Sequence, residues 1–358
     1  MTTIQTRASR RFYPELESLR GVAALSVVGL HANLSTGGTP NFETAEGIKQ
    51  FIARMLTPGN AAVVLFFVLS GFVLAQTIWP GPFDFFKFTV RRLFRLMPAM
   101  WAAIAVSVLV NIWLAQPIDW MGVFRATFFA DSQINPPLWT LKYEFYLSVL
   151  VLPVLALATP RIGVIGNLAL QASLFYYFRS SDVMFCAYMF HLGCMVPTIG
   201  TWIVKKLQGI IAIIVIGATA AMFLACTLTV SMLGPNYFSY ELSLAAPASF
   251  LLVSYFASRE DALLANFMRS APMRFLGRIS YSIYILHWPI RSVILQFNNT
   301  QIGVIVLTML ATISAATICY YVIELPFINI GRRLTQPRSV IDAAVIRSTM
   351  AASVAEPS

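Results

Sequence analysis

Charged residues are scarce in this chain of 358 residues, and their scarcity excludes a soluble globular protein. Only 11% of the residues are Asp, Glu, Lys or Arg, whereas 58% are hydrophobic and the mean hydropathy is +0.73. Soluble domains usually carry about a quarter charged residues. Long apolar stretches with few charges are typical of helical proteins that cross a membrane several times. We therefore predict an all-α, polytopic transmembrane helical bundle that forms one unit rather than two globular domains.

Cysteine and histidine are rare as well, with four and three residues. The cysteines all fall in apolar segments, and none has the spacing of a metal-binding or redox motif. They are interpreted as small core residues, and neither a metal site nor a bound cofactor is predicted. The four are Cys186, Cys194, Cys226 and Cys319. The N-terminus runs into the first apolar stretch without a small-residue cleavage site, so no cleavable signal is expected.

About ten apolar stretches are predicted as membrane spans, and a count of nine or eleven stays open because several of them are short or polar. They are residues 19–37, 60–79, 97–116, 138–158, 162–178, 183–204, 209–233, 239–257, 279–297 and 302–325. With both termini in the cytoplasm, the inside loops hold 18 lysines and arginines and the outside loops hold only Lys49, Arg54, Arg125 and Arg179. This bias follows the positive-inside rule and predicts cytoplasmic termini. It also accounts for the net charge of +10 without nucleic acid as a partner.

The two ends of the chain are predicted to lie outside the membrane domain. Residues 1–14 and 328–358 are polar and contain many small residues, so each is predicted to be a disordered cytoplasmic segment. The membrane domain is predicted to occupy residues 15–327. No internal repeat is evident in the sequence, and this weakens the case for a transporter built from duplicated halves.

Arg20 and His31 are ionisable residues in the first predicted span. Such groups are costly at membrane depth and mark a functional site by default. Their separation of eleven residues places the side chains about 20° apart around a helix axis and roughly 16 Å apart along it. One helix face would therefore carry a cation near one membrane surface and an imidazole deep inside. The alternative is that Arg20 snorkels to the headgroups and His31 is a polar contact between helices.

Two motifs accompany the second and third predicted spans. Arg91, Arg92 and Arg95 lie within five residues at the start of the third span, an arrangement that suits phosphate groups. Any membrane protein also needs such cations as cytoplasmic anchors, and both readings stay open. Ser70-Gly71 is interpreted as a notch for close helix packing. A hydrolase nucleophile is not predicted, because Ser70 lacks a G-x-S-x-G context.

Glu144 lies about two turns inside the fourth predicted span, counted from the outer surface. Counted from the inner surface, His31 reaches a comparable depth, so the two side chains are predicted to be able to meet. A carboxylate beside an imidazole would fix the tautomer and raise the basicity of the ring. The structural alternative pairs Glu144 with Lys142 or with tyrosine hydroxyls.

The last two predicted spans add a second histidine and another carboxylate. Tyr284 and His287 are neighbours on the ninth span, and Pro289 is expected to free a backbone carbonyl and kink the helix near them. Glu324 closes the tenth span at the inner surface. No comparable group of polar motif residues surrounds His191, so it is interpreted as an ordinary polar contact between helices.

Taken in order, these segments resemble the acyltransferase 3 family of bacterial polytopic membrane acyltransferases. The elements that carry the resemblance are 16–21 (LESLRG) followed by His31, 65–72 (LFFVLSGF), 91–98 (RRLFRLMP), 138–146 (LWTLKYEFY), 276–287 (LGRISYSIYILH) and 324–326 (ELP). Each element is weak alone, whereas the ordered set is specific and spans nearly the whole predicted bundle. One departure is Val64, where many relatives carry Asp or Asn, and it puts the acceptor class in doubt.

The resemblance implies the roles of individual residues. It implies that Arg20 and His31 are catalytic, and Glu144 joins them as a candidate from its predicted position. It implies that Arg92 and Arg95 bind an acyl-CoA, and we include the neighbouring Arg91. The supporting candidates are Ser70, Tyr284, His287 and Glu324.

The resulting hypothesis is an O-acyltransferase of the bacterial cytoplasmic (inner) membrane. It would move an acyl group, expected to be acetyl, from cytoplasmic acyl-CoA to a hydroxyl of a cell-surface glycan or polysaccharide. Acyl-CoA is a substrate here rather than a bound cofactor, and membrane lipid and the glycan are the other expected partners. His31 would be the general base, and Arg20, Tyr284 and Ser70 are equal candidates for the oxyanion donor.

Two other classes of protein remain as alternatives. A proton-coupled transporter or flippase would use Arg20, His31, Glu144 and His287 as a proton relay. A sensor or structural membrane protein is less favoured, because it has no need for ionisable groups in several spans. The sequence leaves the acyl group, the acceptor and the oligomeric state open.

Overall fold

The structure is a computed structural model that describes residues 12–34, 58–78, 83–177, 181–206, 238–258, 263–298 and 300–336, with residues 52, 217 and 219 as isolated additions. Every regular element within these residues is a helix. We number the helices in chain order as α1 Pro14–Leu34, α2 Gly59–Ile78, α3 Phe85–Trp113, α4 Trp120–Ala126, α5 Leu138–Ala158, α6 Gly163–Tyr177, α7 Asp182–Lys206, α8 Phe238–Ser258, α9 Leu263–Met268, α10 Ala271–Phe297 and α11 Gln301–Leu334.

Five of these helices are long and apolar enough to cross a membrane, namely α2, α3, α5, α7 and α11. The predicted all-helical membrane fold is therefore confirmed, whereas the count of ten spans and the side of the termini stay predictions. The predicted seventh span, 209–233, lies outside the described residues except for 217 and 219, as does most of each predicted disordered end. Helix α11 continues to Leu334, and the end of the membrane domain at residue 327 stays a prediction.

Three of the long helices contain a π-helical turn, and a proline accompanies each turn. The turns are Leu147–Val151 in α5, Val196–Gly200 in α7 and Tyr320–Glu324 in α11. Their prolines are Pro153, Pro197 and Pro326. Proline has no N–H to continue the α-helical ladder and its ring displaces the carbonyl four residues earlier, so the wider turn absorbs the break. The last of these turns fixes the position of Glu324.

Glycines allow the helices around the site to approach closely. A side chain at Gly277 of α10 would come within 2.3 Å of the Glu17 carbonyl oxygen of α1, and one at Gly71 of α2 would come within 2.2 Å of the Phe190 carbonyl oxygen of α7. Close approach of backbones at small residues is the usual way for membrane helices to gain packing contacts. The predicted notch at Ser70-Gly71 is therefore confirmed.

The segment that precedes α5 enters the bundle instead of running along its surface. Nδ2 of Asn135 donates a hydrogen bond of 2.9 Å to the carbonyl oxygen of Ile285, which is the fifteenth of the 27 residues of α10. That carbonyl lies four residues before Pro289, so it is the acceptor that the proline leaves without an N–H partner. Irregular backbone at this depth is tolerated only where the protein buries it, and Asn135 is fully buried. Helix α5 therefore begins level with the middle of α10, not at the outer end of the bundle as the sequence predicted.

Candidate active site

A pocket lies between α1, α2, α5 and α10. One part of its lining is apolar, and the other part carries a cation, a carboxylate and several hydroxyl groups. The lining residues are Arg20, Val63, Phe66, Phe67, Thr140, Leu141, Glu144, Ser280, Tyr281 and Tyr284. The pocket thus brings together Arg20, Glu144 and Tyr284, which the sequence placed in three separate motifs. No sequence signal marks Val63 or Thr140, because small and apolar side chains in apolar spans form no pattern of their own.

Arg20 presents its guanidinium group to this pocket. It makes no hydrogen bond and no ion pair with the residues that the structure describes. The charges of Arg95, Glu144 and Glu324 act on it at longer range. A guanidinium group that is largely removed from water is stabilised when an anionic or strongly polar group binds to it. Arg20 is therefore suited to a ligand that brings such a group into the pocket.

Glu144 has different partners from the one that the sequence predicted. Its Oε1 lies 3.3 Å from a terminal guanidinium nitrogen of Arg92 and accepts a 3.2 Å hydrogen bond from Ser70. The prediction that Glu144 meets His31 is wrong, and so is its pairing with Lys142. The reason is the entry of the Asn135 segment into the bundle, because it moves α5, and Glu144 with it, towards the arginine-rich end of α3.

His31 pairs with His287 instead. Nδ1 of His31 lies 2.9 Å from Nε2 of His287, and the two rings are nearly parallel, with their centroids 5.0 Å apart. Nδ1 of His287 lies 2.6 Å from the carbonyl oxygen of Tyr284, a pocket residue. Arg20 and His31 therefore both face α10, as their helical spacing predicted. Arg291 also contacts this unit, since its Nε donates a 2.9 Å hydrogen bond to the His31 carbonyl oxygen.

The three arginines of α3 have three different environments. Nε of Arg91 donates a 2.6 Å hydrogen bond to the hydroxyl of Thr335, which lies just after the end of α11. Arg92 is buried in its ion pair with Glu144. Arg95 is partly exposed and makes no hydrogen bond or ion pair within the described part of the chain. Of the three, Arg95 is therefore the cation best placed to take up a ligand without breaking a protein contact.

The remaining supporting candidates bind neighbouring helices. Ser282 donates a 2.8 Å hydrogen bond to Oε2 of the buried Glu324, which joins α10 to α11. The Tyr284 hydroxyl donates to the Pro137 carbonyl oxygen at 3.2 Å and accepts a hydrogen bond from Thr140 at 2.9 Å. Ser70 and Tyr284 therefore already donate to protein oxygens, whereas Arg20 does not.

His191 lies away from the pocket, in contacts between α6 and α7. Its ring nitrogens lie 2.7 Å from Oε1 of Gln171 and 3.0 Å from Oδ1 of Asn167. The interpretation of His191 as a polar contact between helices is therefore confirmed. Three of the cysteines, Cys186, Cys194 and Cys319, are buried, as expected for core residues. Cys226 lies outside the described residues.

The sequence did not single out Asn135, although it holds the segment that sets the depth of α5. Pro289 was a usable signal, because it implies that the Ile285 carbonyl needs a donor from another part of the chain. Nothing in the sequence shows which of the many polar side chains supplies that donor.

Fold and site together define an integral membrane protein with a partly polar, hydroxyl-rich pocket inside its helical bundle. The chain belongs to the acyltransferase domain family, whose pattern matches residues 13–324. That match includes Arg20, His31, Glu144 and Glu324, and it ends at the last of them.

Two relatives are similar to this chain over most of its length. The peptidoglycan O-acetyltransferase OatA of Listeria monocytogenes is 24% identical over 90% of this chain, which covers 56% of that relative. The acyltransferase MdmB of Streptomyces mycarofaciens is 24% identical over 92% of this chain and 96% of its own length. The chain thus spans about half the length of OatA, and almost all of MdmB. No solved structure matches it.

Proposed function

We propose that this chain is an O-acyltransferase that moves an acyl group, acetyl in the simplest case, from acyl-CoA to a hydroxyl of a cell-surface glycan. The observation that carries the proposal is the common orientation of Arg20 and His31 towards α10, with Arg20 lining the pocket and His31 bonded to His287. We assign the protein to the bacterial inner membrane, with acyl-CoA entering from the cytoplasm and the acceptor from the opposite side.

The proposed donor site lies at the arginine-rich end of the bundle. Acyl-CoA is large and anionic, and its phosphate groups bind most strongly through charge-assisted hydrogen bonds. Arg95 is the first candidate, because it has no partner within the described residues. Arg92 lies beside Glu144 and would reach a phosphate only if that ion pair opened. The apolar wall of the pocket, which includes Phe66 and Leu141, suits the acyl end of the donor.

The proposed reaction needs a base and a stabiliser of negative charge. The acceptor oxygen attacks the thioester carbonyl carbon while its proton passes to Nε2 of His31. Arg20 donates to the oxygen that becomes negative, because Ser70 and Tyr284 already donate to protein groups. The tetrahedral intermediate then expels the CoA thiolate, which takes the proton back from His31. The thioester can contact both His31 and Arg20 only if it lies at the Tyr284 end of the pocket.

The proposed acceptor class follows from the relatives and from the chemistry of the hydroxyl group. OatA is named as an enzyme that O-acetylates peptidoglycan, which is a glycan outside the cytoplasm. MdmB is named only as an acyltransferase. Val64 is fully buried in α2, so in this chain that position offers an acceptor no polar group. A glycan acceptor is therefore supported at the level of class, without a particular sugar.

The test is an acyl-transfer assay on membranes that contain the chain. Radiolabelled acetyl-CoA should yield label in a glycan fraction through a base-labile ester. His31→Ala should reduce transfer by at least about 10²-fold at equal abundance, because a general base contributes at least that much. His191→Gln is the matched control, since it changes a buried histidine outside the pocket. Full activity of His31→Ala would remove the base from the proposal, and glycan movement without consumption of acetyl-CoA would favour a flippase.

A further inference from the structure

The imidazole rings of His31 and His287 form one hydrogen-bonded unit with the backbone of α10. The two rings are nearly parallel, with an interplanar angle of 14°. Their contact joins Nδ1 of His31 to Nε2 of His287, and the second nitrogen of His287 points at the Tyr284 carbonyl oxygen. His287 is fully buried, whereas His31 is partly exposed. Of the two rings, His31 is therefore the one that a substrate can reach.

The partners of His287 determine where the protons of both rings lie. A carbonyl oxygen only accepts, so Nδ1 of His287 must carry a proton. A second proton would charge a ring that is fully buried and influenced by Arg291, which is costly. Nε2 of His287 is therefore the acceptor, and Nδ1–H of His31 is the donor. The lone pair of His31 is then on Nε2.

We propose that His287 is a positioning residue that holds His31 in the tautomer with its lone pair on Nε2. This inference rests on the proposed function, because it assigns His287 a task only if His31 is the base. When the acceptor hydroxyl gives its proton to Nε2 of His31, the Nδ1–H bond to His287 shares the resulting positive charge. A histidine in the role usually filled by a carboxylate adds no negative charge beside the base.

Neighbouring side chains hold the pair in this arrangement. The Trp288 ring meets the His31 ring edge-on at 5.5 Å, and the Arg291 guanidinium lies 4.6 Å from the Trp288 ring centre. The Asn135 bond to the Ile285 carbonyl fixes α10 two residues before His287. Both histidines are thus held on more than one side, as a group that orients a base requires.

The first test reads the tautomers directly in the whole protein. The chain has only three histidines, so ¹⁵N-histidine labelling and NMR in lipid bilayers give six ring-nitrogen signals, two for each ring. The His31→Ala and His191→Gln variants assign them. We expect protonated Nδ1 and unprotonated Nε2 in both His31 and His287 near neutral pH. A His31 ring with its proton on Nε2 would overturn the proposal.

The second test separates positioning from folding by kinetics. His287→Leu removes the acceptor at similar size and should lower kcat about 10²-fold with the KM for acetyl-CoA nearly unchanged, as for loss of a group that acts through the base. His287→Gln places a carbonyl oxygen near the former Nε2 and should recover much of that loss. Unchanged kcat in His287→Leu, with His31→Ala inactive, would refute the positioning role but not the proposed function. Activity in both variants would refute both.

Discussion

Among single residues, Arg92 and Glu144 form a largely buried ion pair. The side chains of Arg92 and Glu144 are only 8% and 18% exposed, and Nε of Arg92 has no partner within the described residues. Breaking such a pair by removing one member leaves an uncompensated charge, whereas replacing both members with apolar groups is often neutral. Arg92 therefore has a structural task whether or not it also meets the donor.

This pair can be tested by stability. Glu144→Gln leaves the Arg92 charge buried alone and should cost about 3–5 kcal/mol of unfolding free energy. The double variant Glu144→Leu with Arg92→Met should recover most of that stability. Thermal unfolding in detergent micelles measures both effects. Equal losses in the single and the double variant would show that the two charges do not depend on each other.

Arg95 and Arg91 differ in their contacts, and their roles should differ accordingly. Arg95→Ala should raise the KM for acyl-CoA by at least about tenfold, as expected for one lost charge-assisted contact of about 1.5–3 kcal/mol. Arg95→Lys should restore it only in part, because lysine lacks the planar fork. Arg91→Ala is the matched control in the same turn of α3, since it loses the Thr335 contact. Similar changes in donor KM for the two alanine variants would show that neither arginine binds the donor specifically.

At the scale of elements, prolines decide where backbone groups need outside partners. Pro289 interrupts the ladder of α10 beside the histidine pair, and Asn135 supplies the missing donor from 150 residues away. The same contact holds the start of α5 inside the bundle. Thr140 and Glu144, which lie in the first turns of α5, therefore line the pocket. One side-chain hydrogen bond therefore links the break in α10 to the composition of the site.

A pair of substitutions tests this link. Asn135→Ala should cost about 1–3 kcal/mol, because it leaves the Ile285 carbonyl buried without its donor. Pro289→Ala gives α10 an N–H that can bond this carbonyl in the regular ladder. Asn135→Ala should therefore cost much less in the Pro289→Ala background, as measured by denaturation of the purified protein. Strictly additive costs would mean that Asn135 does not serve this carbonyl.

At the scale of the whole molecule, α10 is the helix on which the site is assembled. Four of its side chains bind four other helices or their leading segments. These contacts are Tyr281 to Leu96 of α3, Ser282 to Glu324 of α11, Tyr284 to Thr140 of α5 and His287 to His31 of α1. A bundle organised in this way keeps its polar groups inside and leaves an apolar surface for lipid.

The predicted orientation of the bundle can be tested with two exposed glutamines, Gln116 after α3 and Gln336 after α11. After replacement of the four native cysteines, Gln116→Cys should react with a membrane-impermeant maleimide on intact cells. Gln336→Cys should react only after the membrane is opened, because the positive-inside rule places it in the cytoplasm. Labelling of Gln336→Cys in intact cells would reverse the orientation, and with it the proposed side of donor entry.

Composition and helical geometry were sufficient to predict the class of the protein and the features of individual helices. Scarce charge and long apolar stretches decided the membrane fold, since these properties depend on composition alone. The common face of Arg20 and His31 followed from helical geometry, and the Ser70-Gly71 notch from residue size. These features lie within one helix, where the sequence fixes the spacing.

The contacts between residues of different helices became evident only in three dimensions. His31 bonds His287, which is 256 residues away, and Glu144 bonds Arg92 rather than His31. The depth of Glu144 was misjudged because hydropathy places the start of a span at the surface, whereas the Asn135 segment enters the bundle. Contacts of this kind depend on where distant segments end up in three dimensions, and no local pattern of residues encodes that position.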